Sequence, residues 1–335
     1  VDAYTKWYGE ARKPHFGPVF AAARAGEPSA EDGLHQIIGN DLYPVIVRAT
    51  ALGELQAFPG ERTMTALRQA LTDEEAIIRA TAVEGFAAQP PELQAEALGP
   101  LLFDSKYGVR IAAGALLASV GHEYLKPHER PALDDAVAEY IASTERNLDF
   151  AASGMNLANL YARQGDQALA EKYYRMALDV DDLFFPAKQN LAVLLSQRGS
   201  NDEAERLLRE ILDEYPEQHD TAYSLALLLV GVGKTDEGLD YLGRAAAALP
   251  DRSRIHYNHG LLLAQMSRDD VAEAALRRAL SLEPENLDYL YAVADFLYKR
   301  DRFEDALEIA DKMIRAHPEQ RVGYDLKAAI SNRRP

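Results

Sequence analysis

Small and apolar residues recur every 34 positions through the second half of the chain, and five units align without insertion or deletion. The units are 151–184, 185–218, 219–252, 253–286 and 287–320. Two small residues per unit form the columns Ala158, Ala192, Ala226, Gly260, Ala294 and Ala170, Ala204, Gly238, Ala272, Ala306. Because small side chains let two helices cross closely, the pattern predicts a pair of packed helices in each unit.

The predicted breaks between helices follow the same period. Glycines fall between the two helices of a unit, where a chain leaving a helix often needs a positive φ; they are Gly165, Gly199 and Gly233. Prolines follow and end the second helix; they are Pro216, Pro250, Pro284 and Pro318. A constant period of this length is typical of a solenoid, in which each unit buries its apolar face against its neighbours.

The first half of the chain has a different and slightly shorter period, marked by Arg48, Arg79 and Arg110. Each arginine opens an alanine-rich helical segment, and Asp73 and Asp104 stand shortly before the second and third arginines. These carboxylates are close enough to cap the helices or to pair with the arginines along a stacked row. We therefore interpret the five side chains as a structural ladder and not as a ligand site.

Segments from the two halves of the chain resemble two known repeat families, and these resemblances imply a fold. The segments NLANLYARQGDQALAEKYYRMALDVD and VAEAALRRALSLEPEN resemble the tetratricopeptide repeat, which has the same period. VIVRATALGEL, AIIRATAVEGF and YGVRIAAGALL resemble HEAT-type repeats. Together they imply an all-α fold, a right-handed α-α superhelix of HEAT-like repeats followed by a tetratricopeptide solenoid.

The resemblances also imply an order of parts. We expect an N-terminal segment over 1–16, HEAT-like repeats over 17–124, a junction helix or half repeat over 125–150, five tetratricopeptide units over 151–320 and a capping helix over 321–335. Ala136 and Tyr140 precede Ala170 and Tyr174 by one full period of the C-terminal repeat. The junction helix is therefore expected to continue the phase of the C-terminal repeats.

Composition narrows the functional classes. Asp and Glu outnumber Lys and Arg by 53 to 36, a net charge of −17, which argues against a nucleic-acid surface or an anionic membrane face. Cysteine is absent from the sequence, which excludes disulfides and cysteine-ligated metals. No apolar run reaches the length of a membrane span, and no nucleophile elbow, phosphate loop or HExxH motif occurs. We expect no enzymatic activity, no cofactor and no membrane insertion.

One pair of histidines has to be considered as a possible metal site. His256 and His259 stand at i and i+3, a spacing that could hold a metal. Both occupy packing positions of the repeat, and no third ligand stands at helical spacing. We interpret them as core histidines.

In the tetratricopeptide family, positions 5, 9 and 12 of the first helix of each unit line a concave groove. The resemblance therefore implies a binding site for a peptide or protein. The predicted groove residues at these positions are Asn159, Gln189, Val193, Tyr223, Leu227, Tyr257, Leu261, Tyr291, Asp295 and Tyr298. Asn156, Asn190 and Asn258, one place after position 5, are also predicted to line the groove. Three of them, Tyr223, Tyr257 and Tyr291, occupy the same position in successive units and form a candidate tyrosine ladder; the alternative is that they only favour the fold. The basic residues with which some members hold a terminal carboxylate are missing, so we expect an uncharged or basic ligand segment.

The opening stretch VDAYTKWYGEARKPHFGPVFAAARAG, followed by these repeats, is similar to the C-terminal tail of bacterial multihaem c-type cytochromes with doubled CxxCH motifs. This resemblance implies a haem-free, periplasmic module downstream of a multihaem domain. Because the chain begins with Val1 and not Met, we expect a fragment or a processed form. The predicted function is a protein–protein interaction scaffold. The alternatives are a structural rod that forms homo-oligomers, a targeting module of an enzyme such as a glycosyltransferase, and a cytoplasmic location.

Overall fold

The structure, a computed structural model, describes residues 15–333, and these form helices without any strand. The all-α class predicted from the repeats is confirmed. Positions 1–14, which hold most of the predicted N-terminal segment and the start of the cytochrome-like stretch, lie outside the described residues, as do 334–335 of the capping helix. The chain divides into two compact units, which meet in sequence between Val180 and Asp181.

Unit 1 contains ten α-helices and one short 3-10 helix among the described residues. They are α1 (Phe16–Arg24), α2 (Ala30–Ile38), α3 (Val45–Leu55), α4 (Glu61–Ala70), α5 (Ala76–Glu84), α6 (Pro91–Leu98), the 3-10 helix Gly99–Phe103, α7 (Tyr107–Leu117), α8 (Glu129–Glu145), α9 (Ala151–Arg163) and α10 (Gln167–Val180). Most consecutive helices pack together, and α3, α5 and α7 also pack side by side. The apolar core therefore runs between two rows of helices.

The periodic arginines of unit 1 join neighbouring helical pairs. Arg79 makes two bonds to the Asp104 carboxylate, of 2.7 Å and 3.0 Å, and its third nitrogen donates to the Asp73 carbonyl at 2.7 Å. Arg48 lies 3.2 Å from the Asp73 carboxylate. Arg110 bonds both oxygens of Glu139, at 2.9 Å and 3.1 Å. Planar guanidinium groups suit such two-point contacts, so each arginine ties its own helix to an acidic residue further along the chain.

Unit 2 contains nine α-helices among the described residues, and the first helices of its repeats begin one full period apart. They are α11 (Phe185–Gln197), α12 (Asn201–Glu214), α13 (His219–Gly231), α14 (Thr235–Ala248), α15 (Ser253–Gln265), α16 (Asp269–Leu282), α17 (Leu287–Tyr298), α18 (Phe303–Ala316) and α19 (Arg321–Arg333). The final helix α19 buries Leu326 and Ile330 against the preceding pair. The first tetratricopeptide-like repeat, α9 with α10, belongs to unit 1, and the other four repeats belong to unit 2.

The two columns of small residues lie at the crossings of paired helices. All the alanines in both columns have no exposed surface. Gly260 on α15 approaches α16 more closely than an alanine could, because an added Cβ would lie 2.9 Å from the Leu276 backbone nitrogen. The helices of that pair therefore cross at a distance that requires glycine.

The turn between the two helices of each repeat needs one residue with a positive φ. Gly165, Gly199 and Gly233 have φ values of 81°, 81° and 84°. Ser267 and Asp301 occupy the same column in the next two repeats, with φ values of 57° and 58°. The turn geometry is therefore kept even where the sequence does not supply glycine.

Among the described residues, no helix combines the length and the apolar character needed to cross a bilayer.

Candidate protein-binding groove

Three aliphatic side chains lie exposed at the same position of successive first helices in unit 2. Val193 on α11, Leu227 on α13 and Leu261 on α15 are 40%, 43% and 41% exposed. Each stands at position 9 of its helix, on the stripe that the sequence predicted for the groove. We call these three residues the aliphatic row. Leu191 and Leu225, two positions earlier on α11 and α13, are buried, so these first helices present one apolar residue outward and pack others inward.

A cavity opens between the first two members of the aliphatic row. It has a volume of about 380 Å³ and lies among α11, α12 and α13. Its lining residues are Ala192, Val193, Ser196, Gln197, Asn201, Leu208, Ser224, Leu227, Leu228, Gly231 and Val232. The cavity therefore offers an apolar wall with hydroxyl and amide groups at its rim and no charged side chain.

Several polar residues of the predicted groove already bind neighbouring helices. Gln189 accepts a hydrogen bond of 2.9 Å from the hydroxyl of Thr221, which is fully buried on the next first helix. The amide of Asn258 donates to the Tyr223 hydroxyl at 2.6 Å, again from one repeat to the next. Burial raises the pKa of Tyr223 above its ordinary value. These side chains hold adjacent first helices in register, whereas the aliphatic members are exposed. Asn190, also on the predicted list, is half-buried.

The three tyrosines of the predicted ladder have different surroundings. Tyr257 is half-buried, and its ring centroid lies 5.0 Å from that of Tyr289. Burial, and after it the charge of Asp288, raises the pKa of Tyr257. Tyr291 is 43% exposed. With Tyr223 bonded to Asn258, a uniform row of three equally accessible rings is not formed.

The last predicted groove residues of unit 2 contact their own helix or α19. Asp295 pairs with Lys299 one turn later, at 2.7 Å. The Arg333 guanidinium of α19 lies 5.1 Å from the centroid of the Tyr298 ring. Position 9 of the stripe thus changes from aliphatic on α11, α13 and α15 to acidic on α17.

The two predicted groove residues of unit 1 lie on α9. Asn156 is exposed, and the Asn159 side chain accepts a hydrogen bond of 2.6 Å from the Tyr174 hydroxyl.

The ladder residues Arg79 and Asp104 are largely buried, with side chains 13% and 8% exposed. Arg48 and Arg110 also bond to acidic side chains of unit 1, as described above. The structure therefore places this ladder between helices and the aliphatic row on a surface.

One histidine of the α15 pair contacts the end of the preceding repeat. The His256 Nε2 atom lies 3.0 Å from the Pro250 carbonyl oxygen. Burial, and after it the nearby His256, lowers the pKa of His259. Within residues 15–333, no group of three or more His, Asp or Glu side chains is placed to hold a metal ion.

Sequence reasoning missed the cavity and the residues that complete it. Ser224 and Leu228 lie on α13 beside the row, and Val232 follows that helix. The Leu228 column keeps leucine, but buried leucine columns are also typical of the core, so this column does not indicate a cavity. Ser224 and Val232 have no constant column, because the equivalents of Ser224 are Asn190 and Asn258 and those of Val232 are Arg198 and Met266. The buried Thr221 was missed for the same reason.

Family models match the chain over the helices of both units. A tetratricopeptide repeat model matches residues 133–182 and 257–321, and a second tetratricopeptide repeat model matches residues 187–215. The chain contains tetratricopeptide repeats. The first match starts inside α8. The HEAT-like repeats of 17–124 stay a prediction.

Several solved structures resemble parts of the chain at low sequence identity. YrrB, described as a TPR protein with an unusual peptide-binding site, is 24% identical with a TM-score of 0.47, over 56% of this chain and 96% of its own. MamA from Desulfovibrio magneticus RS-1, from residue 41 to the end, is 19% identical with a TM-score of 0.47, over 51% and 96%. A tetratricopeptide repeat protein from Parabacteroides merdae ATCC 43184 is 18% identical with a TM-score of 0.48, over 54% and 72%. Comparison with curated proteins gives no match.

Proposed function

We propose that the protein is an interaction scaffold that binds a segment of a partner protein on the first-helix face of unit 2. The observation that carries this proposal is the aliphatic row of Val193, Leu227 and Leu261, exposed at the same position of three successive repeats. Single exposed apolar residues are ordinary on protein surfaces. Val193 and Leu227, however, also line a cavity, and apolar side chains that line a cavity are typical of binding sites.

The row can supply a useful share of binding free energy. Complete burial of an exposed Val or Leu side chain stabilises a complex by about 1.5–3 kcal/mol. With about 40% of each side chain exposed, covering all three contributes roughly 2–4 kcal/mol. That amount suits a transient complex once hydrogen bonds at the rim of the cavity, from Ser196, Ser224 and Asn201, are added.

Site-specific photo-crosslinking in the organism of origin tests the proposal. A photoreactive amino acid is placed at Leu227 on α13 or, as a matched control, at Val271 on α16. Val271 is 55% exposed and lies on the second helix of its pair. We expect a discrete crosslinked partner from position 227 and none from position 271. Equal crosslinking from both positions, or none from position 227, contradicts the proposal.

The same apolar row could be covered by a second copy of the chain, which is the structural-rod alternative. Sedimentation velocity over a hundredfold range of protein concentration separates the two. A dimer that dissociates when Leu227 and Leu261 are replaced by asparagine favours self-assembly. A monomer at all concentrations favours a different partner.

We also propose a context, which rests only on the resemblance carried by the opening stretch that ends at Gly26. In this proposal the chain is the haem-free module of a periplasmic multihaem c-type cytochrome. The gene sequence upstream of Val1 tests it. CxxCH motifs there support the proposal, whereas a catalytic domain such as a glycosyltransferase supports the targeting-module alternative.

A further inference from the structure

A cavity with a volume of about 330 Å³ lies within unit 1. Residues of α4, α6 and the 3-10 helix line it, together with Phe86, which follows α5. Phe86, Leu71 and Leu101 are buried, and Leu93 on α6 is partly open to solvent. The buried part of the cavity wall is therefore apolar and can take an apolar side chain out of water.

Two opposite charges complete the lining of this cavity. Arg68 on α4 and Glu96 on α6 are exposed, and of the described residues that line the cavity only these two are charged. Within the described part of the chain, neither side chain has a hydrogen bond or an ion pair, with each other or with a third residue. By contrast, Arg48, Arg79 and Arg110 of the same unit each pair with a carboxylate. A ligand can therefore bind Arg68 and Glu96 without breaking an existing contact.

This lining selects a ligand that carries both charges. A carboxylate alone would suit Arg68 but would bring a second negative charge close to Glu96, and an ammonium group alone would bring a second positive charge close to Arg68. A neutral apolar molecule would cover the apolar wall and leave both charged groups without a partner. An α-amino acid carries a carboxylate, an ammonium group and a side chain on one carbon atom, so it offers a partner to each part of the lining.

The volume of the cavity sets the size of the ligand. A protein cavity of about 150 Å³ holds one benzene molecule, and the cavity of unit 1, at about 330 Å³, has about twice that volume. One aromatic or large aliphatic side chain therefore fits together with the α-amino and carboxylate groups. Glycine would leave the apolar wall exposed to water and gain nothing from it.

We infer that this cavity binds a free α-amino acid with a large apolar side chain. Arg68 binds the carboxylate of the ligand, Glu96 binds its ammonium group, and the wall formed by Phe86, Leu71 and Leu101 covers its side chain. This inference is independent of the proposed function, because it concerns a small molecule and residues of unit 1.

Ligand-observed NMR with the whole chain and four small molecules tests the inference. Phenylalanine has all three groups, phenylalaninamide lacks the carboxylate, 3-phenylpropanoate lacks the ammonium group, and glycine lacks the side chain. We expect phenylalanine to bind with a dissociation constant of roughly 1 mM. Each analogue that lacks one charge should bind at least about threefold more weakly, since exposed ion pairs are weak, and glycine should not bind.

Two protein variants assign the charged contacts. Arg68→Gln is expected to weaken phenylalanine at least about threefold without weakening phenylalaninamide, because only the contact with the carboxylate is lost. Glu96→Gln is expected to weaken phenylalanine by a similar factor without weakening 3-phenylpropanoate. The matched controls are Arg146→Gln and Glu84→Gln, which change exposed side chains of unit 1 outside the cavity lining and should bind phenylalanine like the parent chain.

The outcomes separate the parts of the inference. Equal binding of phenylalanine and its two analogues overturns the charged contacts, and equal binding of glycine overturns the apolar one. If Arg68→Gln or Glu96→Gln weakens phenylalanine and the analogues alike, the assigned contact is wrong. If phenylalanine does not bind the parent chain, the whole inference fails.

Discussion

Replacement of Gly260 by alanine tests the helix-crossing argument, because two physical effects oppose each other there. Alanine stands in this column in four of the five repeats, and in a helix it is favoured over glycine by about 1 kcal/mol. On these grounds alone Gly260→Ala should stabilise the folded chain. At this crossing, however, a Cβ would lie 2.7 Å from Leu276 Cγ and 2.9 Å from the Leu276 backbone nitrogen. The Leu276 side chain is buried and the nitrogen is part of a helix, so neither can move away freely.

The magnitude follows from the two terms. Extra atoms in a packed core destabilise by about 1–3 kcal/mol, which exceeds the gain in helix propensity. We expect Gly260→Ala to lower the free energy of unfolding by about 1–2 kcal/mol. The matched control is Gly243→Ala on α14, where the new Cβ meets its nearest atom, His259 Nε2, at an ordinary 3.7 Å. That variant is expected to gain about 0.5–1 kcal/mol.

Urea unfolding followed by circular dichroism measures both changes. Because repeat arrays need not unfold in one step, the transition midpoints of the two variants are compared with that of the parent chain under one condition. Gly260→Ala should move the midpoint down and Gly243→Ala should move it up. A Gly260→Ala variant as stable as Gly243→Ala refutes the reasoning that the α15–α16 crossing requires glycine.

Three further predictions concern other contacts. Ser267→Gly is expected to raise the melting temperature, because it removes the Cβ from a residue that holds a positive φ of 57°; no change or a decrease in calorimetry contradicts it. Gln189→Ala is expected to destabilise by about 1–3 kcal/mol, because the buried Thr221 hydroxyl loses its acceptor; an unchanged urea midpoint contradicts it. Hydrogen bonds from Arg79 lower the pKa of Asp104, so the pair stabilises above the unfolded pKa of about 3.9 and the benefit disappears as pH falls through the folded value. The stability gap between the parent chain and Asp104→Asn should therefore be constant from about pH 5 to 7 and shrink below about pH 4; a gap that persists in acid contradicts the assignment.

The repeats of the C-terminal half could be predicted from the sequence because the two helices of every unit pack against each other in the same way. The fixed period of Ala158 and its equivalents gave the crossings, and Gly165 with its equivalents gave the turns. Ser267 shows that the turn is imposed by the flanking helices and not by glycine alone. These features depend on neighbours in sequence or on the adjacent unit, so a periodic pattern carries them.

The groove was harder to predict, because exposure depends on contacts between side chains that no column reveals. Tyr223 and Gln189 stand in the predicted stripe, but hydrogen bonds between repeats engage them. Leu227 stands in the same stripe and is open to solvent. The difference arises from Asn258 and Thr221, which bond Tyr223 and Gln189 from the next repeat along the chain. Sequence spacing therefore predicts a face of the first helices but cannot decide which of its residues are accessible.

The most direct test of the central claim is the affinity of the crosslinked partner for variants of the aliphatic row, measured by isothermal titration. Leu227→Asn with Leu261→Asn should weaken binding at least about tenfold, while Val271→Asn on the second-helix face should bind like the parent chain, with all three proteins equally folded by circular dichroism. Equal affinity of the double variant and the parent chain would show that the partner does not bind on the aliphatic row.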